Sequence, residues 1–317
     1  MNAIEVKELY KSYNSLAAVN GISFEVGHGE LFGFLGPNGA GKTTTINILC
    51  TLLMPTSGQA YVAGFDVSRE PGKVRNHIGL VFQETTLDSE LTTFENLLFH
   101  AYLYGYERRQ AVKRIDELLS MIGMQTKKHE LVKHLSGGMK RRLEVIRGLL
   151  HKPRVLFLDE PTLGLDPQTR AGVWSFIKDM KQKEGTTIFV TTHYMDEASD
   201  FDRITIIDHG KLVAMGNPQK LLDEMGKATV SFSTKDGPTI RQIVSRGMSH
   251  AGNDRYEIRT DDPDGFIKQM LELSGLKIDE FRIKKPELEE LYISLTGSEI
   301  RDDRIEHPVI RRMGHGA

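Results

Sequence analysis

One cysteine in 317 residues, Cys50, leaves no partner for an internal disulfide. The fold must therefore hold by packing and hydrogen bonding alone, as suits a reducing compartment. Cys50 itself reads as a small apolar core residue on the helix after the first glycine loop. Long apolar runs are missing too. A membrane-spanning helix needs ~20 mostly apolar residues, and the best stretch, Leu91 to Tyr106, is broken by Glu95, Asn96 and His100. The opening Met-Asn-Ala-Ile-Glu-Val lacks the basic-then-apolar layout of a secretory signal. Charge of one sign is scarce as well: 41 basic against 43 acidic residues give a formal charge of −2. That balance removes any general electrostatic case for nucleic acid or an anionic membrane surface as partner. Service to a membrane is expected only from its cytoplasmic face, peripherally and through another polypeptide.

What remains is ordinary globular material, 39% apolar and 26% charged, long enough for one large or two modest domains. Residues 4–6 and 22–26 alternate with period two, as half-exposed strands do. Leu31–Leu35 is a short apolar run leading into glycine and predicts a buried strand; 44–53, closed by Pro55, predicts a helix. From Thr92 to Met124 apolar positions recur at helical spacing, with strands returning at 155–158, 187–191 and 204–207. This alternation predicts an α/β fold with a mainly parallel sheet covered on both faces. Around residues 221–227 the character changes. Short strands are expected at 229–233, 255–260 and 278–284, and helices near 239–245, 266–274 and 288–295. The chain thus divides into a main domain at 1–225, with a helical subdomain at about 85–150, a small α+β domain at 226–297 and a mobile tail at 298–317.

The loop Gly36-Pro37-Asn38-Gly39-Ala40-Gly41-Lys42-Thr43, with Thr44 beside it, follows the buried strand and opens a helix. Its glycines let backbone N–H groups turn inward around a phosphate, a shape that side chains would block. Lys42 supplies positive charge to the β- and γ-phosphates, Thr43 offers a hydroxyl to Mg²⁺, and the helix points its positive end at the same anion. Kinases, GTPases and helicases share such a loop, so it establishes nucleotide binding and no more.

Further on, an apolar run delivers Asp159 and Glu160 to the end of a buried strand, where α/β sheets bind ligands. Asp159 is placed to hold Mg²⁺ through water, and Glu160 to polarise an attacking water as general base. Leu135-Ser136-Gly137-Gly138-Met139 stands at the start of another helix and is expected to turn a hydroxyl and bare N–H groups outward, a second anion site. Taken alone, Ser136 reads as a simple N-cap. Set a short way ahead of Asp159-Glu160, this pentad resembles the signature motif of ABC ATPases, and the resemblance covers about residues 4–222.

That resemblance implies a P-loop NTPase nucleotide-binding domain with antiparallel β and helical subdomains beside the parallel sheet, using ATP and Mg²⁺. Tyr13 resembles the aromatic residue that stacks on adenine, although by itself it would read as core. Gln83 is similar to the glutamine that senses Mg²⁺ and the γ-phosphate, and His193 to the switch histidine that contacts the γ-phosphate. Asp166 resembles the residue linking two active sites across a dimer. One phosphate loop and one signature per chain imply a homodimer in which Lys42 and Ser136 of opposite copies act on one nucleotide.

Three further stretches are similar to the drug- and antibiotic-export branch, the daunorubicin-resistance-like one, whose permease is a separate integral membrane subunit: Leu87-Asp88 with Leu91-Thr92 and Glu95-Asn96-Leu97, the run from Leu135 to Glu144, and the run from Pro286 to Tyr292. An importer subunit and a soluble ABC ATPase are the alternatives; the doubled cassettes or long coiled coil of soluble types do not occur here. The basic run Lys140-Arg141-Arg142 reads either as a solvated face or as part of coupling. His250, His307 and His315 are scattered without metal-ligand spacing and read as surface residues. No residue in the chain encodes the transported substrate.

Overall fold

Alternation along the central strands decides how the layers stack. The computed structural model describes residues 2–14, 16–225, 228–233, 248–250, 255–260, 262–272 and 280–297. The chain opens with an antiparallel pair, β1 (Ile4–Tyr13) and β2 (Leu16–Val26), then enters the interior as β3 (Leu31–Leu35). A glycine loop joins β3 to α1 (Lys42–Leu49). β4 (Ser57–Val62) and β5 (Phe65–Asp66) return to the first pair, making an antiparallel sheet in the order β2-β1-β4-β5. After α2 (Pro71–His77) and β6 (Ile78–Val81) come α3 (Thr93–Leu103), α4 (Arg108–Met121) and α5 (Gly137–Leu149). Then follow β7 (Val155–Asp159), α6 (Pro167–Glu184), β8 (Thr187–Thr192), β9 (Arg203–Asp208) and β10 (Lys211–Gly216). Six interior strands form one sheet, β10-β9-β3-β8-β7-β6, parallel except for β10 against β9.

In β3, Phe32 and Phe34 enter one core while Leu31 and Leu35 enter the other; Val155 and Phe157 alternate likewise with Leu156 and Leu158 in β7. The period-two geometry of a strand does this sorting. Between the two sheets Phe24, Phe32, Phe34, Phe157 and Phe189 meet with ring centroids between 5.4 and 6.2 Å apart. Such pairs contribute roughly 0.5–1.5 kcal/mol each beyond their area burial. The opposite core takes α3 to α6, so the sheet is covered on both faces as expected.

Two local devices set the helices that matter. α3 begins at a capping box: Thr92 accepts the Glu95 amide at 3.1 Å, and the Glu95 carboxylate accepts the Thr92 amide at 2.8 Å. α5 lies directly on the sheet because Gly79 in β6 has no side chain; a Cβ there would stand 2.2 Å from the Gly148 carbonyl. α1 is shorter than the expected 44–53 span at its C-terminal end and starts two residues earlier. It stops because Leu52 and Leu53 both donate back to the Asn47 carbonyl and Thr51 takes φ 62.

The main domain ends with α7 (Pro218–Met225), and the appended region contains β11 (Ala228–Ser233), β12 (Met248–His250), β13 (Arg255–Thr260), α8 (Pro263–Glu272), β14 (Glu280–Lys284) and α9 (Leu288–Thr296). Its sheet is antiparallel in the order β12-β13-β11-β14. β12 lacks any sequence signal, being only three residues long. The helix expected near 239–245 and the tail at 298–317 lie outside the described residues. α9, read from sequence as part of the appended domain, packs back on α7 and on the turn Met195–Asp200. Its Leu288, Leu291 and Tyr292 join the large core, and the Tyr292 hydroxyl donates to Asp208 Oδ1 at 3.2 Å. Among the described residues no helix is long and apolar enough to cross a membrane.

Candidate active site

The loop after β3 is shaped by its glycines. Gly41 takes φ 109, and a Cβ there would stand 2.3 Å from the Ala18 carbonyl, so no L side chain fits. Gly41 is also the N-cap of α1 and supplies no side-chain oxygen to the first amides of that helix. Those amides stay open to an anion. Asn38, Gly39 and Thr43 are exposed, whereas Gly36, Ala40 and Gly41 are buried and Pro37 and Thr44 half-buried. Lys42 turns inward: its ammonium donates to the Gly36 carbonyl at 2.8 Å and the Pro37 carbonyl at 3.1 Å. Burial lowers its pKa, against the pull of the neighbouring Glu160 carboxylate.

That carboxylate is the centre of the site. Glu160 follows β7 with φ 45, a left-handed conformation for a residue with a Cβ, held by bonds from its amide to the Thr191 carbonyl (3.0 Å) and hydroxyl (3.1 Å). Such strain costs on the order of 1–3 kcal/mol and clusters at active sites. It aims one Glu160 oxygen at Lys42 Nζ, 3.3 Å away, and the other at His193 Nδ1, 3.0 Å away. Lys42 and His193, more than a hundred positions apart in the chain, therefore converge on one carboxylate. Burial alone would raise the Glu160 pKa, but the His193 bond and the Lys42 charge outweigh it and hold the group below its usual range. Its neighbour Asp159 goes the other way: burial pushes it up, against the hydroxyl that Thr191 donates to Oδ1. Adjacent carboxylates are thereby set apart, Glu160 held below its usual range and Asp159 above it.

The basic run read as solvated face or coupling element contains a buried cation. Arg141 is 6% exposed. It donates to the carbonyls of Phe82 (2.6 Å), Asp159 (3.1 Å), Glu160 (3.1 Å) and Pro161 (2.6 Å), and to Glu144 at 3.0 Å. It ties the end of β6, just before Gln83, to the end of β7. Nothing in its local sequence sets it apart from Lys140 and Arg142; only the tertiary arrangement does.

Gln83, Ser136, Asp166 and Tyr13 make no hydrogen bond or ion pair with this cluster among the described residues. Gln83 is exposed after β6, and no hydrogen bond among the described residues joins it to the cluster. Ser136 caps α5, accepting the Met139 amide at 3.3 Å, and is exposed together with Gly137. Gly138, beside it, is buried, and a Cβ there would meet the Thr169 methyl at 2.4 Å. Asp166 is exposed and caps α6, accepting the Thr169 amide at 3.0 Å. Tyr13 is 45% exposed at the end of β1, so it is not core. No hydrogen bond or ion pair among the described residues links Ser136 to the phosphate loop. Nor do the described residues hold any group of three or more His, Cys, Asp and Glu side chains arranged for a metal.

A groove of about 560 Å³ opens between α3 and the sheet, lined in part by Leu52, Phe82, Phe99, Leu103 and His151. On its floor the Tyr104 and His151 rings stack at 3.7 Å, and His100 leans on both. Burial, with help from Arg147 and His151, lowers the His100 pKa to about 4 from 6.5. The folded state therefore resists a proton that the unfolded chain accepts. Stability on this account is complete above pH 6.5 and falls as pH drops from there to about 4. His100→Phe is expected to flatten that part of the profile, read as the difference in urea midpoint between variant and parent from pH 7 to pH 4.

A family model described as ABC transporter matches residues 19–163. The chain is 38% identical over 313 residues to the daunorubicin/doxorubicin resistance ATP-binding protein DrrA of Streptomyces peucetius, covering 95% of this chain and 94% of that one. It is 35% identical over 312 residues to the linearmycin resistance ATP-binding protein LnrL of Bacillus subtilis, covering 94% and 100%. Among solved structures, a dimeric post-hydrolysis state of an ATP-binding cassette bound to ADP and Pi matches with a TM-score of 0.61 at 27% identity, over 68% of this chain and 98% of that one.

Proposed function

Because the chain belongs to the ABC transporter family and is an ATPase of that type, we propose that it is the ATP-hydrolysing subunit of a drug or antibiotic exporter, pairing two-fold on the cytoplasmic face of a membrane beneath a separate permease. The observation that carries this reading is Glu160 held between Lys42 and His193, with no hydrogen bond or ion pair among the described residues linking the signature segment to its own phosphate loop. A site built that way is complete only when a second copy brings its Ser136 and Gly137 to the nucleotide, and the matched dimeric cassette supports such pairing. The names and full-length coverage of DrrA and LnrL support export over import.

Within the site, Lys42 and the open amides of α1 take the phosphates, Tyr13 offers its exposed ring to the base, and ionised Glu160 polarises the attacking water. His193 keeps Glu160 oriented, and Asp166 lies at the edge that would face the partner copy. The donors proposed for Mg²⁺, the exposed Thr43 hydroxyl, Gln83 and Asp159, are all oxygens, the set this hard cation prefers. When bound, Mg²⁺ neutralises phosphate charge.

The groove beside α3 is where a helix of the permease would dock. A tagged Glu160→Gln chain, purified from its native membranes in detergent with ATP, should bring down a stoichiometric integral membrane protein of several spans. Leu103→Glu, at a 66%-exposed position, should lose that protein while keeping the ATPase rate of the isolated chain. Recovery with ribosomes or DNA factors in the soluble fraction would overturn the transporter reading and leave the ATPase.

A further inference from the structure

The turn Met195–Asp200 follows His193 after one residue, Tyr194, and carries a carboxylate with no part in the proposed reaction. Glu197 has its side chain 2% exposed. One of its oxygens accepts the Thr162 hydroxyl at 2.5 Å and the other accepts the Thr192 hydroxyl at 2.9 Å. Thr162 lies two residues after Glu160, and Thr192 lies immediately before His193. The Thr192 hydroxyl also accepts the Tyr194 amide at 3.0 Å, so the same group closes the turn that aims the imidazole. The Arg170 guanidinium stands 3.5 Å from Glu197 and lies over the Tyr194 ring at 4.0 Å, while Tyr194 packs on His193 with ring centroids 4.0 Å apart.

From this arrangement we infer that Glu197 is a positioning residue: bridging Thr162 and Thr192, it fixes the loop after Glu160 to the turn bearing His193 and so holds the Glu160–His193 contact in register. Glu197 touches neither catalytic side chain. Its effect passes through two hydroxyls, each one or two residues from a catalytic group, and both must stay in place for the 3.0 Å contact between His193 and Glu160 to form. Burial raises the Glu197 pKa, opposed first by the Thr162 hydroxyl. A buried carboxylate is an expensive brace unless it is bonded and its charge answered; here each oxygen accepts a threonine hydroxyl, and the Arg170 guanidinium sets its charge 3.5 Å away. A misplacement of about 1 Å at a catalytic group costs up to ~10²-fold in rate.

The inference rests on the ATPase reading of Glu160 and His193, so the test carries His193→Ala as its reference. In ATPase assays of the full chain, Glu197→Ala should lower kcat by about tenfold or more, with KM for ATP within about threefold of the parent. Glu197→Gln, whose amide can still meet both hydroxyls, should recover most of the loss. Thr192→Val, nearly isosteric, should reproduce the kcat defect and guards against misfolding of the alanine variant. In the His193→Ala background Glu197→Ala should cost nothing further, since the residue it positions is gone. If Glu197→Ala and Thr192→Val both leave kcat within twofold, or if the Glu197 effect is undiminished without His193, the inference fails. If His193→Ala itself leaves kcat unchanged, it is the reading of the site that fails.

Discussion

Glu160→Gln is expected to lower kcat for ATP hydrolysis by about 10²–10⁴-fold, the usual worth of a positioned general base, and to leave nucleotide binding in place. Glutamine preserves the volume and a bond to His193 Nδ1 but removes the negative charge that the site keeps ionised against burial. Lys42 loses its ion pair yet keeps the carbonyls of Gly36 and Pro37, so its charge is not stranded. The phosphate loop and the amides of α1 are untouched. Under the proposed two-fold pairing, binding without turnover would trap two copies around the nucleotide. Sedimentation velocity should therefore show a largely monomeric variant that doubles its mass with ATP. A kcat within threefold of the parent would remove Glu160 from the reaction; no mass change with ATP would sink the two-fold pairing while leaving the ATPase intact.

How far the molecule was legible beforehand depended on whether a residue's role was local. Lys42 is announced by the glycines before it, and Glu160 by the apolar strand that ends there, because phosphate loops and strand-end carboxylates need fixed neighbours in the chain. Central strands were legible for a related reason: alternating Phe and Leu in β3 and β7 is the imprint of two cores on one sheet. Residues whose work lies across the fold left no such imprint. Tyr292 reads as one apolar position of a terminal amphipathic helix, and only the packed structure puts its hydroxyl on Asp208. Glu197 sits among acidic neighbours and looks like surface until Thr162 and Thr192 close on it. Gly138 looked equivalent to Gly137, yet Thr169, thirty-one residues on, decides that it is buried. Arg141 is the sharpest case, a cation with charged neighbours on both sides in the chain and backbone carbonyls on all sides in space.

The consequence for Arg141 is energetic. Arg141→Met removes a planar donor that satisfies four carbonyls and one carboxylate at once, and it leaves Glu144, 1% exposed, without its ion-pair partner. Breaking a buried pair from one side costs roughly 3–5 kcal/mol, a large share of the ~5–15 kcal/mol by which domains are stable. Arg141→Lys should do little better, since one ammonium cannot span the fork of acceptors. Adding Glu144→Gln to Arg141→Met should recover part of the loss: the stranded charge disappears, and the glutamine oxygen can still take the Thr86 amide now bound at 2.8 Å. Urea unfolding of the parent, the two single variants and the double variant reads the coupling directly. A drop below about 1 kcal/mol in Arg141→Met would mean that water replaces the guanidinium without strain, and that the ends of β6 and β7 hold their places unaided. The larger loss would make Arg141 the tie through which the backbone before Gln83 and the backbone around Glu160 move as one piece.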